Sequence, residues 1–344
     1  MKINLTKREV HPASGAIMMA IGIFLYADVE AFPLIDQNVG WMFIIALYLI
    51  SIRLLTSLFL QFSRNEFIEK ALRHPVRFFA MGTWIAGIFV LCQVTLKYFP
   101  EWLHVIQVAA GLNTSLYVVF LFGCIIQMRA LLKNQAAFSP HGIILLSTVA
   151  TQSLVITWAK IYTIPVKFLL IGVIIGALFY LCSVWLINGR YLNGENWSLK
   201  DDWPNTNCIL HGALSITGLA LVSTQALSGT GLLLVWLAVL LVLLSVETVE
   251  IVRAVKRVLA YGWKKGLFTY DVSQWSRNFT FGMFYAFSVA MPEPHSLTIL
   301  HQFHTGFLLI WSWVVLLFLC VEIFLWASSA SYSVREKEVT NLRR

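Results

Sequence analysis

The stretch WSRNFTFGMFYAFSVAM, residues 275–291, is apolar enough to enter a bilayer, yet it opens on Ser276, Arg277 and Asn278 and carries Gly282 at its centre. Wound as a helix at about 100° per residue, it places Phe279, Gly282, Met283, Ala286 and Ala290 within about 100° of one another. Phe281, Phe284, Tyr285, Ser288 and Arg277 fall on the other side. One face is small and carries a single large ring; the opposite face is bulky and suited to packing or lipid. The rest of the chain decides what that narrow face looks onto.

Composition makes lipid the main solvent. Of 344 residues, 58% are hydrophobic and only 12% charged, about half the charged fraction a soluble domain of this length needs. Mean hydropathy is +0.75. The net charge of +8 is not a nucleic-acid footprint, because the basic residues stand in short loops between apolar runs and not along one wettable face. Cys92, Cys124, Cys182, Cys208 and Cys320 form no CxxC pair and lie in or beside apolar stretches, as small buried hydrophobes do. No cofactor and no metal site is expected.

Runs of about 17 to 25 apolar residues can span a bilayer as helices. Ten occur, near 12–30, 39–60, 77–97, 103–128, 141–161, 166–188, 207–226, 230–252, 275–291 and 299–327. The four-residue gap at 162–165 makes the fifth and sixth a close hairpin. With the N-terminus cytoplasmic, 20 of the 25 Lys and Arg fall on inner segments and only Lys97, Lys160 and Lys167 on outer ones. The positive-inside rule therefore puts both termini in the cytoplasm. Of the inner links, 189–206 reads as a polar loop with an interfacial aromatic at Trp203, and 253–274 as a basic amphipathic loop on the anionic leaflet.

Pro12, Pro75, Pro140 and Pro204 each stand at or just before an odd-numbered run, at intervals of 63, 65 and 64 residues. Proline suits the first turn of a helix, where its missing N–H goes unused. Continuing the interval predicts a fifth start near residue 268. A period of about 64 residues, each unit holding an outward and a returning helix, means five parallel hairpins, and such repeats commonly surround an axis normal to the bilayer. The expected fold is an all-α integral membrane protein: one domain over 1–344, ten transmembrane helices, five parallel helical hairpins around a central pore.

The odd helices hold the small and polar residues and are assigned to the inner ring. Pore-lining candidates are Gly15, Gly82, Ser147, Thr148, Thr151, Gln152, Gly212, Ser215, Gly282, Met283 and Ala286. The stripe Ser147, Thr148, Thr151 and Gln152 suits contacts between helices as well as a pore lining. An anion path needs donors but few fixed charges, since a deep cation would hold the ion. Arg73, Arg77 and Arg277 are candidates for attracting anions to a mouth, with snorkelling to the headgroups the other reading of Arg277. Glu247, Glu250 and Glu322 are expected at the interface or paired, as with Arg253. His301 and His304, at i and i+3, lack a third metal ligand.

Four segments then resemble a known family: HPASGAIMMAIGI at 11–23, EFIEKALRHPVRFF at 66–79, HGALSITGLA at 211–220 and WSRNFTFGMFYAFS at 275–288, with VATQSL at 149–154 similar to bacterial members. The family is that of the tellurite-resistance and C4-dicarboxylate transporters, whose plant branch comprises the slow-type anion channels. The resemblance implies ten helices with quasi-fivefold hairpin symmetry in the cell inner membrane, a homotrimer in the lipid bilayer with one pore per subunit, and a small anion as substrate. It also implies that a phenylalanine of the ninth span, here Phe279, occludes the pore as its gate. Thr280 stands where the family has proline. Anion channel function is thus expected, with a proton-coupled C4-dicarboxylate (malate) carrier as the alternative. From another class, a membrane-embedded redox enzyme would use His11, His74, His141 and His211.

Overall fold

The structure is a computed structural model that describes residues 10–64, 67–193, 197–292 and 298–342. Among them every regular element is helical. Ten principal helices follow in order: α1 Gly15–Tyr26, α2 Pro33–Phe62, α3 Gly82–Tyr98, α4 Leu103–Lys133, α5 Leu146–Ile161, α6 Val166–Asn193, α7 Ile209–Ser223, α8 Gly229–Gly266, α9 Trp275–Ala290 and α10 Thr298–Leu342. Eight of them, among the described residues, are long and apolar enough to cross a membrane. The other two are α1, with 12 residues, and α9, with 16. The chain is thus compatible with a multi-pass membrane protein.

The odd helices begin alike. A single 3₁₀ turn leads into α3 at Arg77–Met81, into α5 at Gly142–Leu145, into α7 at Asn205–Cys208 and into α9 at Val272–Gln274; α1 follows turns at 12–14. Four of these starts share a side-chain cap that accepts the N–H two residues on. His11 Nδ1 accepts from Ala13 (3.1 Å), His74 Nδ1 from Val76 (3.3 Å), His141 Nδ1 from Ile143 (3.5 Å) and Asp271 Oδ1 from Ser273 (2.8 Å). In the fifth unit Asp271 stands where the other capped starts have a histidine. With Gln274 it closes a capping box, which satisfies orphan N–H groups from both ends.

Packing separates the two sets of helices. α1 packs on α3, α3 on α5, α5 on α7, α7 on α9, and α9 back on α1. Outside this ring α2 lies on α1, α4 on α3 and α5, α6 on α5 and α7, α8 on α7, and α10 on α9 and α1. Buried residues make up 78% to 83% of the apolar windows of α3, α5 and α7, against 22% to 33% in the even helices. The exposed positions of the even helices are apolar and recur at helical spacing, as with Val105, Leu112, Val119 and Ile126 on α4. Such a shell suits a lipid solvent.

Three loop-level expectations differ from the structure. Helix α8 does not stop near residue 252; it runs to Gly266, with Gly262 at φ 74° making a kink, so most of the basic 253–274 link is helix. Trp203 is buried and not interfacial, because its Nε1–H donates to Glu250 Oε1 (2.9 Å). Cys182 and Cys320 are exposed, since they lie on outward faces of α6 and α10; Cys92, Cys124 and Cys208 are buried as expected.

Candidate functional site

The N-terminal ends of all five ring helices meet at one cavity of about 590 Å³. Each lead-in turn contributes to its wall: His11 to Ala13, Arg77 and Ala80, His141 and Ile143, Pro204 and Thr206, Asp271 and Ser273. Gln61 at the end of α2 and Arg64, Phe67 and Ala71 of the link to α3 close one side. Side-chain caps occupy leading N–H groups at four of these ends, but each helix still turns the positive end of its macrodipole to the space, and five of them together favour a negative ligand.

Side-chain charge agrees with that polarity. Burial, and then the Arg77 guanidinium, hold the His74 imidazole below its ordinary range. Burial also lowers His11, where Asp271 partly offsets it and Arg77 adds to it. His141, one residue before its span, is pushed down to about 4 by burial and then by Arg190. These rings are therefore neutral acceptors at neutral pH, and Thr206 Oγ1 lies 2.8 Å from His141 Nδ1. Arg64 and Arg77 supply the cations of the wall. Asp271, the wall's carboxylate among the described residues, spends Oδ1 on the N–H and the hydroxyl of Ser273.

Contacts around α9 fix which way its residues point. Gly282 faces Ile23 and Asp28 of the α1 side, and Thr280 lies against Gly212 of α7. Phe281 faces α10, with ring centroids 5.0 Å from Trp311 and 5.2 Å from Phe318. At about 100° per residue, the direction opposite Phe281 and between α1 and α7 belongs to Phe279, Met283 and Ala286. That direction is the middle of the ring. Phe279 is 2% exposed there, about 9 Å along the axis from the cavity residue Ser273.

The remaining expected residues occupy other places. Gly15, Gly82 and Gly212 sit at seams between ring helices. A Cβ on Gly15 would stand 2.6 Å from the Thr83 carbonyl carbon, and one on Gly82 2.8 Å from the Leu146 oxygen. On α5 the polar stripe bonds outward: Thr148 donates to Gly176 O (3.0 Å) and Gln152 to Val173 O (3.2 Å), both on α6, while Thr151 accepts from Tyr117 of α4 (3.0 Å). Ser147 and Ser215 donate to the Ile144 and His211 carbonyls. The face of α5 opposite the stripe carries Ala150 and Ser153, and the Ser153 hydroxyl has no partner among the described residues.

The three arginines separate. Arg77 lines the cavity. Arg73 pairs with Glu69 at 3.5 Å on the exposed surface. Arg277 is held by α8, with Nη2 2.8 Å from Glu250 Oε2 and Nε 3.5 Å from Glu247 Oε2. Arg253 joins them, 3.2 Å from Glu250 and 2.7 Å from Asn205 Oδ1. Two guanidinium groups thus balance two carboxylates between α8 and α9, with the buried His211 ring 3.6 Å from Glu247. His304 Nε2 meets the Ser288 carbonyl of α9 at 3.0 Å. Among the described residues no group of three His, Cys, Asp or Glu is placed to hold a metal.

No protein-family model matches the chain, and no curated protein sequence matches it. Sequence reasoning missed His141, Thr206, Asp271 and Ser273 as members of one wall, and Ser153 and Asp28 as buried polar groups. The signal for the wall was available: residues 11, 77, 141, 206 and 271 recur at 64 to 66 residues, the same period as the prolines.

Proposed function

We propose that the chain is a ten-span membrane transport protein that passes small anions along the axis of its inner ring. In this reading α1 and α9 are short spans equivalent to α3, α5 and α7, each paired with the following even helix in five parallel hairpins. The distribution of Lys and Arg supports a cytoplasmic mouth and cytoplasmic termini. The observation that carries the reading is the convergence of five helix N-termini and two arginines on a single cavity, with Phe279 facing the ring's middle just beyond it.

The parts then have distinct tasks. The mouth concentrates anions by the positive ends of five helices and by Arg64 and Arg77 of its wall, so an ion is attracted by a spread of charge and not held by one deep cation. Phe279 obstructs the axis, and its movement admits the ion. The family likeness supports the same assignment and a homotrimer in the inner membrane. The substrate class is a monovalent inorganic anion or a C4-dicarboxylate.

Flux of chloride, nitrate and malate into proteoliposomes tests this. Phe279→Ala is expected to raise the flux of at least one anion by about tenfold, equivalent to removing about 1.4 kcal/mol of barrier. Folded, inserted protein that passes none of them with either residue at 279 would contradict it.

A further inference from the structure

Asp28 stands in the 3₁₀ turn Asp28–Ala31, where α1 gives way to α2 at the end of the ring opposite the mouth. Its exposure is 0%, and neither carboxyl oxygen has a hydrogen-bond partner among the described residues. Oδ2 lies 3.2 Å from where a Cβ on Gly282 would stand, so the carboxyl is aimed at the α1–α9 seam, one helical turn beyond Phe279.

The neighbouring groups are engaged elsewhere. Lys97 of α3 donates to the carbonyls of Leu25 (3.1 Å) and Tyr26 (2.9 Å) and pairs with Glu30 at 2.8 Å. Tyr98 of α3 donates to Asp36 of α2 (3.1 Å). From α9 the titratable neighbour is Tyr285; α10 meets the turn through Trp313 on Phe32, centroids 4.9 Å apart. An ionised Asp28 would be a buried charge without a hydrogen bond, an arrangement that proteins avoid by holding the acid neutral.

We propose that Asp28 is a proton-binding site behind the wall of the anion path, and that an anion moves along the ring axis past the level of the α1–α9 seam only while Asp28 holds its proton, an inference that rests on the transport function above. The carboxylate takes its proton from water at the outer end; no bond of the anion changes. An ion on the axis that has passed Phe279 next comes level with Gly282, on whose α1 side Asp28 lies. A charged Asp28 there repels it through a low-dielectric wall, whereas the protonated acid carries no charge to oppose it. Proton occupancy at the outer end thereby sets passage of an ion recruited at the mouth.

Two measurements on the full chain decide it. Infrared difference spectra of the purified wild-type protein, titrated over roughly pH 5 to 9, are expected to contain a carboxylic-acid C=O band that shifts in heavy water and is absent from Asp28→Asn. In proteoliposomes, wild-type flux of malate or chloride is expected to fall about tenfold across that range, while Asp28→Asn, fixed in the neutral form, loses the dependence. A wild-type spectrum without that band, or an Asp28→Asn protein that keeps the wild-type pH profile, overturns the proposal. A band present with no flux of either anion overturns the transport function, and the control of passage with it, while leaving Asp28 as a buried acid.

Discussion

The inner and outer helices of this molecule are made of similar apolar residues but answer to different surroundings. Ring helices run 12 to 17 residues and are buried nearly all round. Shell helices run 28 to 45 residues and expose most of their surface. In the shell an apolar side chain needs only to be compatible with lipid. In the ring, backbones approach closely enough that glycine decides the contact, and every polar group needs a partner. Chemistry is therefore concentrated in the ring and its lead-in turns, and tolerance in the shell.

Charge removal exposes the contrast most strongly. Arg277→Met leaves Glu247 and Glu250 without their α9 partner and is expected to cost about 3–5 kcal/mol, read as loss of unfolding stability in detergent. Arg129→Met on the exposed side of α4 is expected to change stability by less than about 0.5 kcal/mol. Equal effects would mean that the α8–α9 network is not a buried one.

Glycine substitution gives the next largest effect. Gly15→Ala drives a methyl into the Thr83 backbone and is expected to destabilise by about 1–3 kcal/mol. Gly306→Ala on α10, where nothing lies within 4 Å, should be neutral or stabilising by up to about 1 kcal/mol. A reversed order would break the assignment of α1 to a close-packed ring.

The most gradual effect is the pH response of the His141 end of the ring. His141 titrates at about 4 in the fold against an ordinary value of 6.5, so between those values the unfolded chain binds more protons. Stability from this group is therefore full above 6.5 and falls as the pH drops toward 4, by at most about 1.4 kcal/mol per pH unit. Melting temperature followed over that window should decline less in His141→Asn than in the wild type.

How much of this was legible in the sequence differs between the two regions for the same physical reason. Shell helices announce themselves by long apolar runs, and their starts were placed to within a few residues except at α2. Their ends were less legible: α8 continues to Gly266 because Ala254, Lys256, Arg257, Leu259 and Ala260 favour helix after the apolar run has ended. Repeat order was visible in Pro12, Pro75, Pro140 and Pro204, while the caps at His11, His74, His141 and Asp271 depend on side-chain geometry that spacing alone does not reveal. The α5 stripe shows the limit most clearly. Thr148 and Gln152 have the composition of a pore lining, and only the position of α6 tells that their donors are spent on its carbonyls.

The central claim is that the ring's axis is a route closed at Phe279. Accessibility of a cysteine at Ala286, beyond the ring of Phe279, tests it most directly in a background with the five native cysteines replaced. A charged, membrane-impermeant thiol reagent applied to the mouth side should leave Ala286→Cys unlabelled while Phe279 is present and label it once Phe279→Ala is added. Labelling in both proteins, or in neither, would contradict the account.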